Sequence, residues 1–176
     1  MGVGVAVSGA GSNLGDMFLS VKGSRSGPIK GEAQDKVHEN EIDVVSWSWG
    51  MQARSSMGGG LATGKADVRE LRILKRADSA STPLMSALRS NELITKAVLT
   101  CRKSGKSPLE FLKITLEQAR VTGLSIEAGD RTNGTDVFEE VTFSFNKITV
   151  EYVPQGPDGL GKGAMMYTDQ FDEAVR

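Results

Sequence analysis

Apolar residues in most of this chain recur at every second position, the period of a strand with one buried face, and that alternation limits the fold to a mainly β architecture. Met17 to Val21 predicts a short first strand, and Glu41 to Met51 a second. In the second, Val45, Trp47 and Trp49 share one parity while Val44, Ser46 and Ser48 share the other, so the bulky parity is expected in the core. Ala66 to Leu74 changes phase midway: Ala66 and Val68 lie on one parity, Leu71 and Ile73 on the next, which predicts a β-bulge near Arg69 and Glu70. Ala97, Leu99 and Cys101 alternate in a strand that turns back through Ser104-Gly105-Lys106-Ser107 into Leu112, Ile114 and Leu116, fading towards Gly123. Val137 to Val153 places Val141, Phe143 and Phe145 on the core side, then shifts to Ile148, Val150 and Tyr152, with a second bulge expected near Asn146 and Lys147.

Strands that change phase bend, and bent strands close small sheets. The expected fold is therefore a small antiparallel β-barrel or sandwich, flanked by one α-helix. For that helix Ser81 and Thr82 are the expected N-cap residues and Pro83 fits the first helical position, with Leu84, Met85 and Leu88 forming its apolar stripe and an end around Asn91 to Leu93. The chain divides into an arm over 1–15, a barrel domain over 16–155 and a tail over 156–176. Two Gly-rich stretches, Ala53 to Gly64 and Pro154 to Gly163, read as exposed loop or tail.

Little in the chain can carry catalysis. The G-x-x-x-x-G-K pattern from Gly59 to Lys65 is followed by Ala66 where a phosphate-binding loop needs a hydroxyl, and then by a predicted strand where it needs a helix. His38 is the one histidine, set among Glu39 and Glu41, so neither a His-based triad nor an ordinary zinc site can be assembled in one subunit; a solvated strand entry is expected instead. Cys101 is also single and reads as a small buried residue. No cofactor or metal is expected. A formal net charge of −1 gives no electrostatic reason to bind nucleic acid, and no apolar run approaches the roughly 18 residues of a membrane-spanning helix. The start, Met1 to Gly15, lacks the basic residues and unbroken apolar run of a Sec signal, and Ala6 stands where a myristoylation signal wants Ser or Thr.

One segment is more specific. HENEIDVVSWSWGM, His38 to Met51, resembles the H-x-x-E-I-D-V-x-x-W-S-W-G signature of the Hcp family, the tube proteins of bacterial type VI secretion. DMFLSVKG (Asp16 to Gly23), STPLM (Ser81 to Met85), FLKITLEQARV (Phe111 to Val121) and FEEVTFSFNKITVEYVPQ (Phe138 to Gln155) follow in the family's order. The resemblance runs from about Asp16 to Gln155; the arm before it is extra, and the tail matches loosely.

The resemblance implies hexameric rings of β-barrel subunits, stacked into a tube within a phage-tail-like contractile sheath. It implies partnership with sheath, baseplate and VgrG-like spike components, and with effector proteins carried in the bore. The subunit is then assembled in the cytoplasm and secreted without a cleaved signal peptide. On that basis Ser46 and Ser48 are expected to face the lumen, and the loop bearing Ser55, Ser56, Met57, Gly58, Gly59, Gly60 and Leu61 to reach a neighbouring subunit or ring. Two other functions fit a β-barrel with paired tryptophans: a monomer that binds a small apolar ligand, and a phage-like tail tube protein.

Overall fold

A computed structural model of the chain describes residues 15–53, 66–105, 107–129 and 136–171. Ten strands and one helix follow in the order β1 (Asp16–Gly23), β2 (Gly27–Ile29), β3 (Ile42–Ser48), β4 (Met51–Gln52), β5 (Asp67–Val68), β6 (Leu71–Arg76), α1 (Ser81–Arg89), β7 (Ile94–Lys103), β8 (Leu109–Ala128), β9 (Val137–Tyr152) and β10 (Met165–Gln170). The main sheet runs β10-β9-β6-β3-β1-β7-β8, and an additional β8–β9 pairing closes its six inner members into an antiparallel barrel. β2 hangs on β1, and β4 pairs with β5 as a separate two-stranded ladder.

The barrel interior is filled. Leu19, Ile42, Leu71, Ile73, Ile94, Leu99, Leu116, Phe143 and Ile148 are fully buried, one or two from each strand of the wall. Burying each such side chain stabilises the fold by about 1.5–3 kcal/mol. Helix α1 adds Leu84 and Ala87 to the same cluster. Its cap differs from the expected one. Ala80 occupies the N-cap without a side-chain bond, and Ser81 is the first helical residue. The Ser81 hydroxyl turns backwards to accept from the Asp78 amide at 2.9 Å.

Three phase changes shape the barrel. In β3 the register with β6 shifts between Val44 and Ser46, so Val45 is the extra residue of a bulge. The bulge lets Val44 and Trp47 both face inward: Val44 is buried, and Val45, expected in the core, is left half-buried outside it. Trp47 and Trp49 are half-buried against the core edge, and the Trp49 indole donates to the Arg69 carbonyl at 2.9 Å. Between β5 and β6 the expected bulge at Arg69 and Glu70 is a full break, with Val68 pairing to Met51 and Leu71 to Phe143.

The third change occurs in two strands together. β8 switches its buried parity from Ile114 and Leu116 to Ala119 and Val121, and β9 switches from Val141 and Phe143 to Ile148. Yet the ladder keeps one register from Leu112↔Tyr152 to Val121↔Phe143. Both strands therefore carry one extra residue at the same level, Gln118 facing Asn146, and Gln118 takes a left-handed φ of 50°. The bulge expected near Asn146 and Lys147 is real as a change of face, but its partner strand matches it. A register shift follows at Thr122, between Val121 and Gly123.

The segment expected to be a tail is partly a strand. After a hairpin closed by Gln155↔Gly161 and by the Lys162 amide on the Pro154 carbonyl at 2.8 Å, β10 pairs along β9 from Met165↔Tyr152 to Gln170↔Lys147.

Candidate functional site

The outward wall formed by β3, β6 and β9 holds the residues singled out by parity. Ser48 lies across from Arg72, which lies across from Thr142; Ser46 lies across from Leu74, which lies across from Glu140. Ser46 and Ser48 are both exposed on this face, so the bulge at Val45 leaves their outward direction unchanged. Arg72 Nε sits 3.4 Å from Glu140 Oε1, so the wall is hydroxyl-bearing with its charges paired across strands. The loop residues Ser55, Ser56, Met57, Gly58, Gly59, Gly60 and Leu61, and all of the arm before Gly15, lie outside the described residues. The loop springs from the β4–β5 ladder, where Met51 pairs with Val68 and Gln52 with Asp67.

The end of the barrel where β1 begins is tied by a charge cluster that periodicity did not reveal. Phe18 points outward from β1 but is buried, stacked on the His38 ring at a centroid distance of 4.4 Å and with the Arg102 guanidinium 5.1 Å from its ring centroid. His38 is thus not a solvated strand entry. Its Nδ1 lies 2.8 Å from Glu41 Oε2 and its Nε2 lies 2.7 Å from Glu110 Oε1. Arg102 grips Asp35 with two N–H donors at 3.1 and 2.6 Å and reaches Asp16 at 3.0 Å. These bonds from Arg102, with one from the Val37 amide, hold the Asp35 carboxyl well below the usual carboxylate range, and Asp35 and Asp16 hold Arg102 firmly charged. The result clamps the connection from β2 to β3 onto the barrel. Gly31 is the tight point of that connection, since a Cβ there would meet the Glu41 carbonyl oxygen at 2.5 Å.

A second cluster lies under the start of α1. Lys75 and Glu139 face inward from β6 and β9 and are fully buried, with Lys75 Nζ 2.6 Å from Glu139 Oε2 and 2.8 Å from Asp78 Oδ1. Among the described residues, Glu139 Oε1 has no hydrogen-bond partner. Lys75 and Glu139 hold core parity as charged residues, which an alternation of apolar side chains cannot reveal. The D-x-x-H-x-x-E spacing from Asp35 to Glu41 was the one signal available for the His38 contacts.

No group of three or more His, Cys, Asp or Glu side chains able to hold a metal exists among the described residues. Cys101 is buried, and burial raises its thiol pKa. Two surface hollows, of about 560 and 280 Å³, are open, and neither is lined by Trp47 or Trp49.

A filled barrel with a plain outer wall is a building block, and comparison with known proteins says of what. The profile of a family described as type VI secretion system effector, Hcp, matches residues 18–152. The chain belongs to the Hcp family. It is 39% identical over 151 residues to protein Hcp1 of Pseudomonas aeruginosa, spanning 84% of this chain and 89% of that protein. The crystal structure of Hcp1 from Salmonella typhimurium superposes with a TM-score of 0.70 at 30% identity, covering 90% of this chain and 95% of that one. A type VI secretion system effector from Yersinia pestis does so with a TM-score of 0.67 at 28% identity, covering 88% and 99%. This Hcp-family chain is a tube subunit of type VI secretion.

Proposed function

We propose that copies of this chain close into hexameric rings that stack into a tube inside a contractile sheath, and that the tube delivers effector proteins without catalysing a reaction. The observation that carries the cargo reading is the outward wall around Ser46 and Ser48. Ser46, Ser48 and Thr142 are small and hydroxyl-bearing, Arg72 is paired with Glu140, and Leu74 lies half-buried between Ser46 and Glu140. Such a surface leaves room in a bore, and lacking any large apolar patch it holds unlike cargoes weakly enough to release them. The loop from Ala53 to Gly64, between β4 and β5 in the chain, reaches a neighbouring subunit or the next ring in this reading. Sheath, baseplate and spike proteins are the expected partners at the outside and ends of the tube. Secretion then follows from expulsion of the tube, with no cleaved signal.

Ser48→Arg tests this reading. The variant is expected to give rings of unchanged mass in native mass spectrometry while co-purifying and exporting less effector than the parent. Breakdown to monomers would make the Ser48 face an interface, and unchanged effector export would remove it from the lumen.

A further inference from the structure

The pair beneath α1 brings together reactive groups as well as charges. Lys75 and Glu139 are register partners on β6 and β9, 64 residues apart in the chain, and both side chains are fully buried. Their contact, 2.6 Å from Nζ to Oε2, sets a primary amine against a carboxyl group in an apolar interior, with Leu71, Ile73, Val141 and Phe143 buried on the same two strands. Two other lysine pairs, Lys113 with Glu110 and Lys147 with Glu117, lie partly open at the surface, where water solvates both charges.

Inside the barrel that solvation is lost. A proton moving from Nζ to Oε2 along the short contact turns two buried ions into a neutral amine and a neutral acid, and a medium that penalises charge narrows the difference between the two forms. Amine and acid are the two halves of an amide, and holding them in contact replaces a bimolecular encounter by an intramolecular one. A third group stands at the nitrogen. Asp78 Oδ1 lies 2.8 Å from Nζ and is fixed there by the Ala80 amide, which donates to it at 2.9 Å. It is placed to act as a base. Among the described residues Glu139 Oε1 has no hydrogen-bond partner, and a bare neutral carbonyl costs less in such a place than a bare carboxylate oxygen.

We propose that the folded chain slowly joins Lys75 to Glu139 by an isopeptide bond between β6 and β9, with Asp78 moving the proton. The ion pair is the starting state. Having given one proton to Oε2, Nζ attacks Cδ of Glu139, and the carbonyl electron pair moves onto Oε1. Asp78 Oδ1 takes the second proton from the nitrogen and passes it to the Oε2 hydroxyl. The Cδ–Oε2 bond breaks as Oε1 re-forms its carbonyl; one water leaves, and nothing is oxidised or reduced. The N–H that remains faces Asp78, so the product keeps its donor paired. Asp78 retains some solvent access, which gives the water a way out. The bond closes a covalent loop through the barrel wall that unfolding cannot open.

Intact-mass spectrometry of the full chain tests this. Purified protein kept folded at neutral pH for days is expected to become lighter by one water, and a protease digest to yield a branched peptide joining the segments that carry Lys75 and Glu139. Lys75→Arg keeps the charge without the amine and should hold its full mass. Glu139→Gln, whose side-chain amide expels ammonia in the same attack, should lose one ammonia in place of one water. Asp78→Asn should form the bond about 100-fold more slowly. Circular dichroism checks that each variant is folded. A parent whose mass never changes overturns the proposal and leaves the pair as plain ions. So does a loss that persists in Lys75→Arg or in urea, or a branch that falls on Asp78 instead of Glu139.

Discussion

Replacing Lys75 by Met probes the buried charge beneath α1. In the wild type the ammonium donates to Glu139 Oε2 at 2.6 Å and to the Ser81 hydroxyl at 3.4 Å, and it is ion-paired with Asp78 Oδ1 at 2.8 Å. Among the described residues Glu139 Oε1 has no hydrogen-bond partner, so the carboxylate relies on Lys75. Methionine fills similar space but leaves a fully buried carboxylate alone, and breaking such a pair costs about 3–5 kcal/mol. For a domain of this size each kcal/mol lowers Tm by about 2–4 °C, so Lys75→Met should melt about 6–20 °C below the parent. The double variant Lys75→Met/Glu139→Leu removes both buried charges. Asp78, which keeps some solvent access, can turn outward. It should recover most or all of the loss, since well-packed apolar replacements of buried ion pairs are often neutral or stabilising. Calorimetry at one fixed protein concentration and neutral pH reads both values. A single variant within about 1 kcal/mol of the parent, or a double variant as unstable as the single, would refute the claim that this pair is held by mutual need inside the barrel.

The Arg102–Asp35 clamp predicts acid sensitivity. Asp35 is held below its unfolded value of about 3.9, so its contribution is present above that pH and is lost as pH falls towards the lower folded value; Tm measured from pH 6 down to 2 should therefore fall more steeply in the parent than in Asp35→Asn. Gly31→Ala should lower the urea midpoint, because the added methyl would lie 2.5 Å from the Glu41 carbonyl and 2.7 Å from the Ile42 Cα, both backbone atoms with little room to yield.

Strand parity and turn chemistry made much of the barrel legible. Ala97, Leu99 and Cys101 face the core as their spacing implied, and α1 lies where Pro83 and the Leu84 to Leu88 stripe placed it. Bulges were harder. At Val45 the sequence runs Val-Val, so either residue could take the inward place, and only pairing with Lys75 and Leu74 of β6 decides for Val44. β10 escaped because Met165, Met166 and Tyr167 do not alternate with polar residues; an edge strand exposed on both faces has no buried side to impose a period. The outward placement of Ser46 and Ser48 was readable, whereas the clamp around His38 was not. It depends on Glu110 and Arg102, far along the chain and brought in by β8 and β7.

The matched kink at Gln118 and Asn146 ties the lengths of two distant segments together. A strand that loses one residue inverts every side chain beyond the gap, sending core groups to the surface and surface groups inward. Here the correct facing of Ala119, Val121, Val141 and Phe143 depends on an extra residue in each of two paired strands. Loss of either residue alone therefore destroys both the register and the facing of one half-strand. In the middle of β8 and β9, therefore, any change of length has to arrive as a pair.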